Sequence, residues 1–227
     1  MDKFSDELRK RMTTIKHKHF ANDTIYTYLD PGDVKKIEDE VAEAFQDVLK
    51  ALVINTKDDH NSYETARRVA KMFVHEIFRG RYYPPPPVTA FPNAKQYDQI
   101  YMTGPITINS TCAHHFQPIT GKCYVGVFPG EKVIGLSKFN RIVDWISSRP
   151  QIQEEMTEQI ADMIEEETEA KGVAVVIKAE HFCMTARGVK EHESEMMTSV
   201  LRGMFLRNTS MKTEFFFLLN NMKGMRE

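Results

Sequence analysis

The sequence predicts an α+β fold, in which a helical N-terminal region precedes an antiparallel sheet and its helices. Apolar residues recur at helical spacing up to about residue 78, whereas the β-branched runs typical of strands begin at residue 106. These runs follow one another directly and are then followed by two helical stretches. That order differs from the regular alternation of strand and helix in a parallel sheet, and it favours an α+β architecture.

The N-terminal region begins with polar residues of mixed charge, including a basic stretch at residues 16–19. We expect residues 1–30 to form an arm. Helical spacing starts after Pro31-Gly32, where Asp33 is the expected N-cap. The apolar stripe of this first helix runs from Val34 to Leu52 with the period of an α-helix.

A second helix is expected from Ser62 to Phe78, because its apolar residues share one face. Consecutive prolines at residues 84–87 stop this helix and impose an extended chain. We therefore place a boundary there, between a helical region at residues 31–83 and a second domain at residues 84–227.

The second domain reads as short strands and amphipathic helices. Runs rich in β-branched residues predict strands at Ile106–Thr111, Lys122–Phe128, Val133–Leu136, Val173–Ala179 and within Met197–Leu206. Helical spacing predicts helices at Phe139–Ile146, Ile152–Ile164 and Thr213–Leu219. We expect Gly172 to end the second of these helices and its acidic run, Glu165–Glu167, to face solvent.

Composition excludes several classes of protein. Hydrophobic residues make up 41% and charged residues 27% of 227 residues, which is enough for a sizeable core. The net charge of −2 lacks the basic footprint of a nucleic-acid-binding protein. No apolar run has the length of a membrane helix, and the charged first residues differ from a signal peptide. We expect a cytoplasmic protein that binds neither nucleic acid nor membrane.

Two of the three cysteines lie beside histidines, and this pattern points to a metal site. The candidate ligands form two groups near strand ends: Cys112, His114 and His115, then His181 and Cys183. Thiolate and imidazole are the ligands that zinc prefers, and three of them plus an open position are typical of catalytic zinc. An extended strand would pair Cys112 with His114, whereas a turn would pair it with His115. The remaining histidines would serve as general acid and base.

A second group of residues suits a polyphosphate. Ser137, Lys138 and Arg141 stand where a helix is expected to begin, so backbone amides, the helix dipole and cationic side chains coincide. Arg187 adds a cation close to Cys183. At the start of the next helix, Gln153 precedes Glu154, whose carboxylate is suited to hold a base edge.

Five segments occur in an order that resembles the motifs of the GTP cyclohydrolase I family. They are residues 64–72 (ETARRVAKM), 110–116 (STCAHHF), 133–138 (VIGLSK), 149–154 (RPQIQE) and 181–189 (HFCMTARGV). The resemblance covers roughly residues 33–220 and leaves the first 30 residues outside. Many family members carry Glu where this chain has Ala113.

The resemblance implies a fold, an assembly and an activity. The fold would be a tunnelling fold, an antiparallel sheet with helices packed on one face, and its copies would form a toroidal homodecamer with active sites between subunits. The activity would be the zinc-dependent hydrolysis and rearrangement of GTP to 7,8-dihydroneopterin triphosphate plus formate. The second domain, residues 84–227, would then be catalytic.

The resemblance also implies residue roles. Cys112, His115 and Cys183 would hold zinc, which leaves His114 and His181 for proton transfer. The triphosphate would be bound by Arg187, Ser137, Lys138 and Arg141, together with Arg68 and Lys71 of the earlier helix. Gln153 and Glu154 would lie at the guanine end.

Two other functions compete with this interpretation. A 7-cyano-7-deazaguanine reductase of the same fold needs a cysteine nucleophile and a nicotinamide partner rather than three zinc ligands. A non-catalytic, zinc-stabilised nucleotide-binding or regulatory subunit would have no use for His114 and His181. Release of formate from GTP separates all three functions.

Overall fold

The computed structural model describes residues 3–13, 20–223 and 225, and it divides into two compact units between Pro84 and Pro85. The basic stretch at residues 16–19 lies outside the described residues. Within the described ranges, no helix combines the length and the apolar character needed to cross a membrane.

The N-terminal unit is helical, as the sequence predicts. Its elements are α1 (Phe4–Thr13), a 3₁₀ turn (Tyr26–Tyr28), α2 (Asp33–Ala51), α3 (Thr65–Met72), a π-helical turn (Phe73–Ile77) and α4 (Arg79–Tyr82). Helix α1 forms where the sequence predicts an arm. It does so because Leu8 and Met12 are buried against Ile25, so this segment packs onto its own unit.

Helix α2 begins differently from the sequence prediction. Gly32 is its N-cap, with a left-handed φ of 91°, and Asp33 is the first helical residue. The expected capping role of Asp33 is therefore wrong. Its buried carboxylate instead accepts hydrogen bonds from Lys36 and Arg11, which tie α1 to the start of α2.

The second predicted helix is shorter and interrupted. Residues 62–64 form a turn, in which the hydroxyl of Ser62 donates to Asp59, so α3 starts at Thr65. The chain then widens into the π-helical turn, where the amide of Phe78 donates to the carbonyl of Phe73 at 3.0 Å. Helical spacing of apolar residues does not distinguish an α-turn from a π-turn.

The second unit contains the sheet. Its elements are β1 (Ala90–Pro92), β2 (Tyr101–Cys112), β3 (Pro118–Phe128), β4 (Lys132–Ile134), α5 (Leu136–Ser147), β5 (Pro150–Gln151), α6 (Gln153–Thr168), β6 (Gly172–His181), α7 (Phe182–Thr185), β7 (Met196–Leu201), α8 (Met204–Arg207) and α9 (Thr209–Asn220). The main sheet has the order β5-β2-β3-β6-β7, and its β2, β3, β6 and β7 pair antiparallel. The predicted α+β class is confirmed.

The two faces of this sheet are covered by different helices. Alternate residues such as Val125, Val175 and Ile177 point into a core shared with α5 and α6. Their neighbours Tyr124 and Val176 point to the other face, where they pack against α8 and α9. The expectation of helices on one face thus describes α5 and α6, but the C-terminal helices cover part of the second face.

Several predicted boundaries differ from the structure. The strand expected within Met197–Leu206 ends at Leu201, because Gly203 turns the chain with a positive φ of 56°. Gly172 is the first residue of β6 and does not stop α6, whose C-cap is Glu169. Of the acidic run, Glu165 forms an ion pair with Arg202 at 3.1 Å.

Candidate active site

Sheet topology brings the two predicted ligand groups to one edge. Strands β2 and β6 both pair antiparallel with β3, which lies between them, so they run in the same direction and end on the same side. The register pairs Thr111 with Pro118 and Ile119 with His181. Cys112 at the end of β2 and Cys183 just after β6 are therefore neighbours across the first residues of β3.

The chain after Cys112 turns sharply. The amide of Phe116 donates to the carbonyl of Cys112 at 2.9 Å, and the amide of Cys112 donates to the carbonyl of Gln117 at 2.8 Å. The amide of Ala113 donates to the carbonyl of Gln151 on β5, also at 2.8 Å. A turn therefore replaces the extended strand, and of the two pairings that the sequence leaves open it favours Cys112 with His115.

These residues form a compact three-ligand group. Cys112, His115 and Cys183 each offer one ligand atom, and the three atoms lie within 4.8 Å of one another. Cys112 is buried and His115 is exposed, so the group is anchored on one side and open on the other. Burial raises the pKa of the Cys183 thiol, and the adjacent Cys112 raises it further. Two thiols and an imidazole fit zinc, whose charge offsets the cost of ionising both thiols.

The two remaining histidines occupy different surroundings. His114 is exposed in the turn, and its ring centroid lies 6.3 Å from that of His115. His181 is half-buried at the end of β6, where its Nε2 lies 2.8 Å from Oε1 of Gln153. Burial lowers the pKa of His181, and the charge of Glu154 opposes this effect.

The start of α5 has the features expected of an anion site. Gly135 is its N-cap and provides no side-chain cap, which leaves backbone amides of the first turn for a ligand. Ser137 and Arg141 are exposed. The ammonium group of Lys138 donates to the carbonyl of Pro87 at 2.9 Å.

The other predicted cations are also exposed. Arg187 follows α7 in the sheet unit, whereas Arg68 and Lys71 lie on α3 of the N-terminal unit. Arg68 approaches Glu64 one turn earlier, at 3.5 Å. Within the described residues, the candidate metal ligands lie close together in the sheet unit. The predicted phosphate-binding cations are instead distributed over both units.

The two predicted guanine-binding residues differ sharply in exposure. Glu154, in the first turn of α6, is exposed. Gln153 is only 1% exposed, and its amide nitrogen donates to acceptors on β6 and β7.

Comparison with known proteins identifies the family of the chain. The family model described as GTP cyclohydrolase I matches residues 41–220. The chain belongs to the GTP cyclohydrolase I family. A relative named GTP cyclohydrolase 1 from Actinobacillus pleuropneumoniae serotype 5b (strain L20) is 41% identical over 182 residues, which cover 80% of this chain and 83% of the relative. One from Haemophilus influenzae (strain ATCC 51907 / DSM 11121 / KW20 / Rd) is 40% identical over 189 residues, covering 82% and 86%.

Among solved structures, an archaeosine synthase QueF-Like in the apo form shares 16% identity with a TM-score of 0.37, over 46% of this chain and 92% of that one. The match to the GTP cyclohydrolase I family spans every candidate site residue, from Arg68 to Arg187, and leaves residues 1–40 outside. Membership makes the chain an enzyme of the hydrolase class.

One residue of the GTP cyclohydrolase I site has a role that the sequence analysis missed. Gln151 is completely buried on β5, which pairs in parallel with the end of β2 over two residues. Its backbone carbonyl accepts a hydrogen bond from the amide of Ala113 and so holds the turn after Cys112. The proline next to it argues against a central strand, so a two-residue strand at this place leaves almost no signal in the sequence.

Proposed function

We propose that the chain is a zinc-dependent GTP cyclohydrolase I, which converts GTP to 7,8-dihydroneopterin triphosphate and formate. The observation that carries the proposal is the approach of Cys112, His115 and Cys183 to within 4.8 Å, with His181 two residues from Cys183. Family membership specifies the reaction, and this group supplies a place for it in the chain.

The three residues would hold zinc through two thiolates and one imidazole. A bound zinc ion supplies Lewis acidity, which makes water nucleophilic near neutral pH. The exposed His115 leaves one side of the group accessible to a substrate. The amide of Ala113 donates a hydrogen bond to the carbonyl of Gln151 on β5. This bond would hold the turn that carries Cys112 and His115.

His114 and His181 would move the protons of the reaction. Water adds at C8 of the purine while one histidine protonates the neighbouring ring nitrogen, and the imidazole ring opens. A second hydrolysis releases formate, and the ribose opens, rearranges and closes onto the freed amine with loss of one water. Two waters enter and one leaves, so the net reaction consumes one water per GTP.

The remaining candidate residues would bind the two ends of the substrate. Ser137, Lys138, Arg141 and Arg187, with Arg68 and Lys71, would hold the triphosphate by charge-assisted hydrogen bonds without cleaving it. Binding would move Lys138 from the carbonyl of Pro87, its present partner. The exposed carboxylate of Glu154 is suited to accept hydrogen bonds from the guanine edge.

We further propose a toroidal homodecamer with sites between subunits. The order of the main sheet leaves β7 at one edge, and at the other edge β5 covers only Thr111 and Cys112 of the long β2. Open edges of this length are protected when copies join into a closed ring of strands.

Hetero-oligomers of Arg141→Ala and His181→Ala chains test whether the site is shared between subunits, and they should recover part of the activity. A lack of recovery in well-mixed oligomers would contradict a shared site.

The decisive experiment measures products from GTP. The purified protein should release formate and form 7,8-dihydroneopterin triphosphate in equal amounts, and it should lose this activity on chelation and regain it with zinc. Binding of GTP without formate release would instead favour a non-catalytic subunit. Reduction of a nitrile at the expense of a nicotinamide would favour the reductase.

A further inference from the structure

Gln153 is tied into the fold more extensively than a substrate-binding amide requires. It is the first residue of α6 and is 1% exposed. Its amide nitrogen donates to the carbonyls of Ile177 at 3.2 Å and Met196 at 3.0 Å, and to the hydroxyl of Thr198 at 3.1 Å. One side-chain nitrogen thus joins α6 to both β6 and β7.

These contacts fix the orientation of the amide. Backbone carbonyl oxygens only accept hydrogen bonds, so the NH₂ group of Gln153 must face Ile177 and Met196. Its oxygen must then face His181, whose Nε2 lies 2.8 Å away. An amide oxygen also only accepts, and therefore Nε2 of His181 carries the hydrogen.

We propose that Gln153 is a positioning residue, which fixes the ring of His181 with Nε2 as donor and leaves Nδ1 as the nitrogen available to the substrate. The assignment of the substrate contact rests on the proposed function, whereas the ring orientation rests on the hydrogen bonds alone.

The geometry favours this role over the guanine contact that the family resemblance implies for Gln153. All of its donors point at acceptors within the fold, and its oxygen is engaged by His181. Glu154, the next residue, is exposed and carries the acceptor that suits a guanine edge. Gln153 therefore acts through another side chain, and Glu154 is the residue left to touch the base.

Kinetics of Gln153→Met test the assignment, because Met fills a similar volume without an acceptor. A misplaced His181 should lower kcat about tenfold to a hundredfold, as small displacements of catalytic groups do, with KM for GTP and zinc content retained. Thr198→Val is the matched control, since it removes one bond of the amide nitrogen and leaves His181 untouched. A raised KM with unchanged kcat would overturn the proposal, as would an equal loss of kcat in the control.

A double-mutant cycle asks whether Gln153 acts through His181. In the His181→Ala background, Gln153→Met should cost little further kcat, because the group that it positions is already absent. If the two losses of kcat multiply, Gln153 works independently of His181 and the proposal is wrong.

Nitrogen chemical shifts of the wild-type protein give a readout that does not depend on activity. In protein labelled with ¹⁵N-histidine, the wild-type signal of His181, assigned by its loss in His181→Ala, should show the neutral ring with hydrogen on Nε2. A neutral ring with its hydrogen on Nδ1 and none on Nε2 would overturn the proposal. Formate release by the wild-type protein decides the proposed function separately, so failure of one is distinguishable from failure of the other.

Discussion

The sheet unit and the N-terminal unit differ in the carboxylates that they bury. In the sheet unit, fully buried apolar side chains such as Val125, Ile160 and Ile177 pack between the sheet and its helices. In the N-terminal unit, carboxylates lie in the interior: Asp33 is 1% exposed, and the buried Glu38 contacts the half-buried His75 at 2.7 Å. Apolar packing involves no group that titrates, whereas the ion pairs of α2 need ionised carboxylates.

The predicted site residues are divided unequally between these two units. The metal ligands and His181 lie in the sheet unit, where the strand register positions them, whereas Arg68 and Lys71 lie in the ion-paired N-terminal unit. We infer that a substitution that destabilises the N-terminal unit leaves zinc binding in the sheet unit unchanged. Substitutions of the proposed metal ligands and histidines should therefore affect zinc or turnover, whereas substitutions in the N-terminal unit should affect affinity or stability.

The largest effect is expected from Cys183→Ser. A three-ligand site does not tolerate the loss of a thiolate, so zinc and activity should disappear together. Metal analysis and formate release are the measurements. Cys123→Ala is the control, because Cys123 is a completely buried thiol of β3 outside the ligand group, and its variant should keep zinc. Full zinc occupancy in Cys183→Ser would show that the ligand assignment is wrong at this residue.

A smaller effect is expected from His114→Ala, which removes a proposed acid–base group and none of the proposed ligands. Zinc content should stay at the wild-type level, while turnover should fall by roughly 10²–10⁴, the usual contribution of a general acid or base. The comparison with His115→Ala is informative, since the neighbouring histidine is the proposed ligand and its loss should release zinc. Zinc loss in His114→Ala instead would mean that Cys112 pairs with His114, as in an extended strand.

These two predictions show which parts of the candidate metal site can be predicted from the sequence. The spacing of Cys112, His114 and His115 predicts a metal site but leaves the pairing open, because spacing alone does not say whether the chain extends or turns. The structure favours one pairing through the hydrogen bonds of Cys112 with Phe116 and Gln117. Family resemblance supplied the ligand set that the residues alone left undecided.

The parts of the fold that the sequence missed have physical explanations. Strands β1 and β5 are three and two residues long and contain proline, so neither has a periodicity to detect. Helix α1 is polar overall and is stabilised by tertiary burial of Leu8 and Met12. The role of Gln153 depends on acceptors from β6 and β7, which are distant in sequence.

Arg141→Ala should affect binding of the substrate and leave the chemistry intact. Loss of one charge-assisted contact with the triphosphate should raise KM for GTP by about one to two decades, equivalent to roughly 1.5–3 kcal/mol. Zinc content should be unchanged. Lys212→Ala, which removes an exposed cation from α9, is the control for the change in charge. An unchanged KM for Arg141→Ala would show that this residue does not bind the triphosphate. GMP, which lacks two of the three phosphates, should be a poor substrate if these cations bind the triphosphate.

The smallest effect on activity is expected from Asp33→Asn, which tests the ion-paired unit. Burial would raise the pKa of Asp33, but hydrogen bonds from Lys36, the Asp30 amide and Arg11 outweigh it and lower the pKa to about 2. Because the folded-state pKa is depressed, Asp33 stabilises the fold above about pH 4, and this contribution is lost as the pH falls towards about 2.

Near neutral pH, Asp33→Asn should therefore lower the free energy of unfolding of the N-terminal unit by about 1.5–3 kcal/mol, as expected for a hydrogen-bonded charge. Amide hydrogen exchange in α2 measures this locally, and zinc content should not change. The difference from wild type should shrink as the pH falls through the range in which Asp33 is protonated. Asp47→Asn is the matched control, since the side chain of Asp47 is 75% exposed in its pair with Lys50 and such pairs contribute little. Equal destabilisation by both variants, or loss of zinc in Asp33→Asn, would contradict the separation between an ion-paired unit and an apolar unit that carries the chemistry.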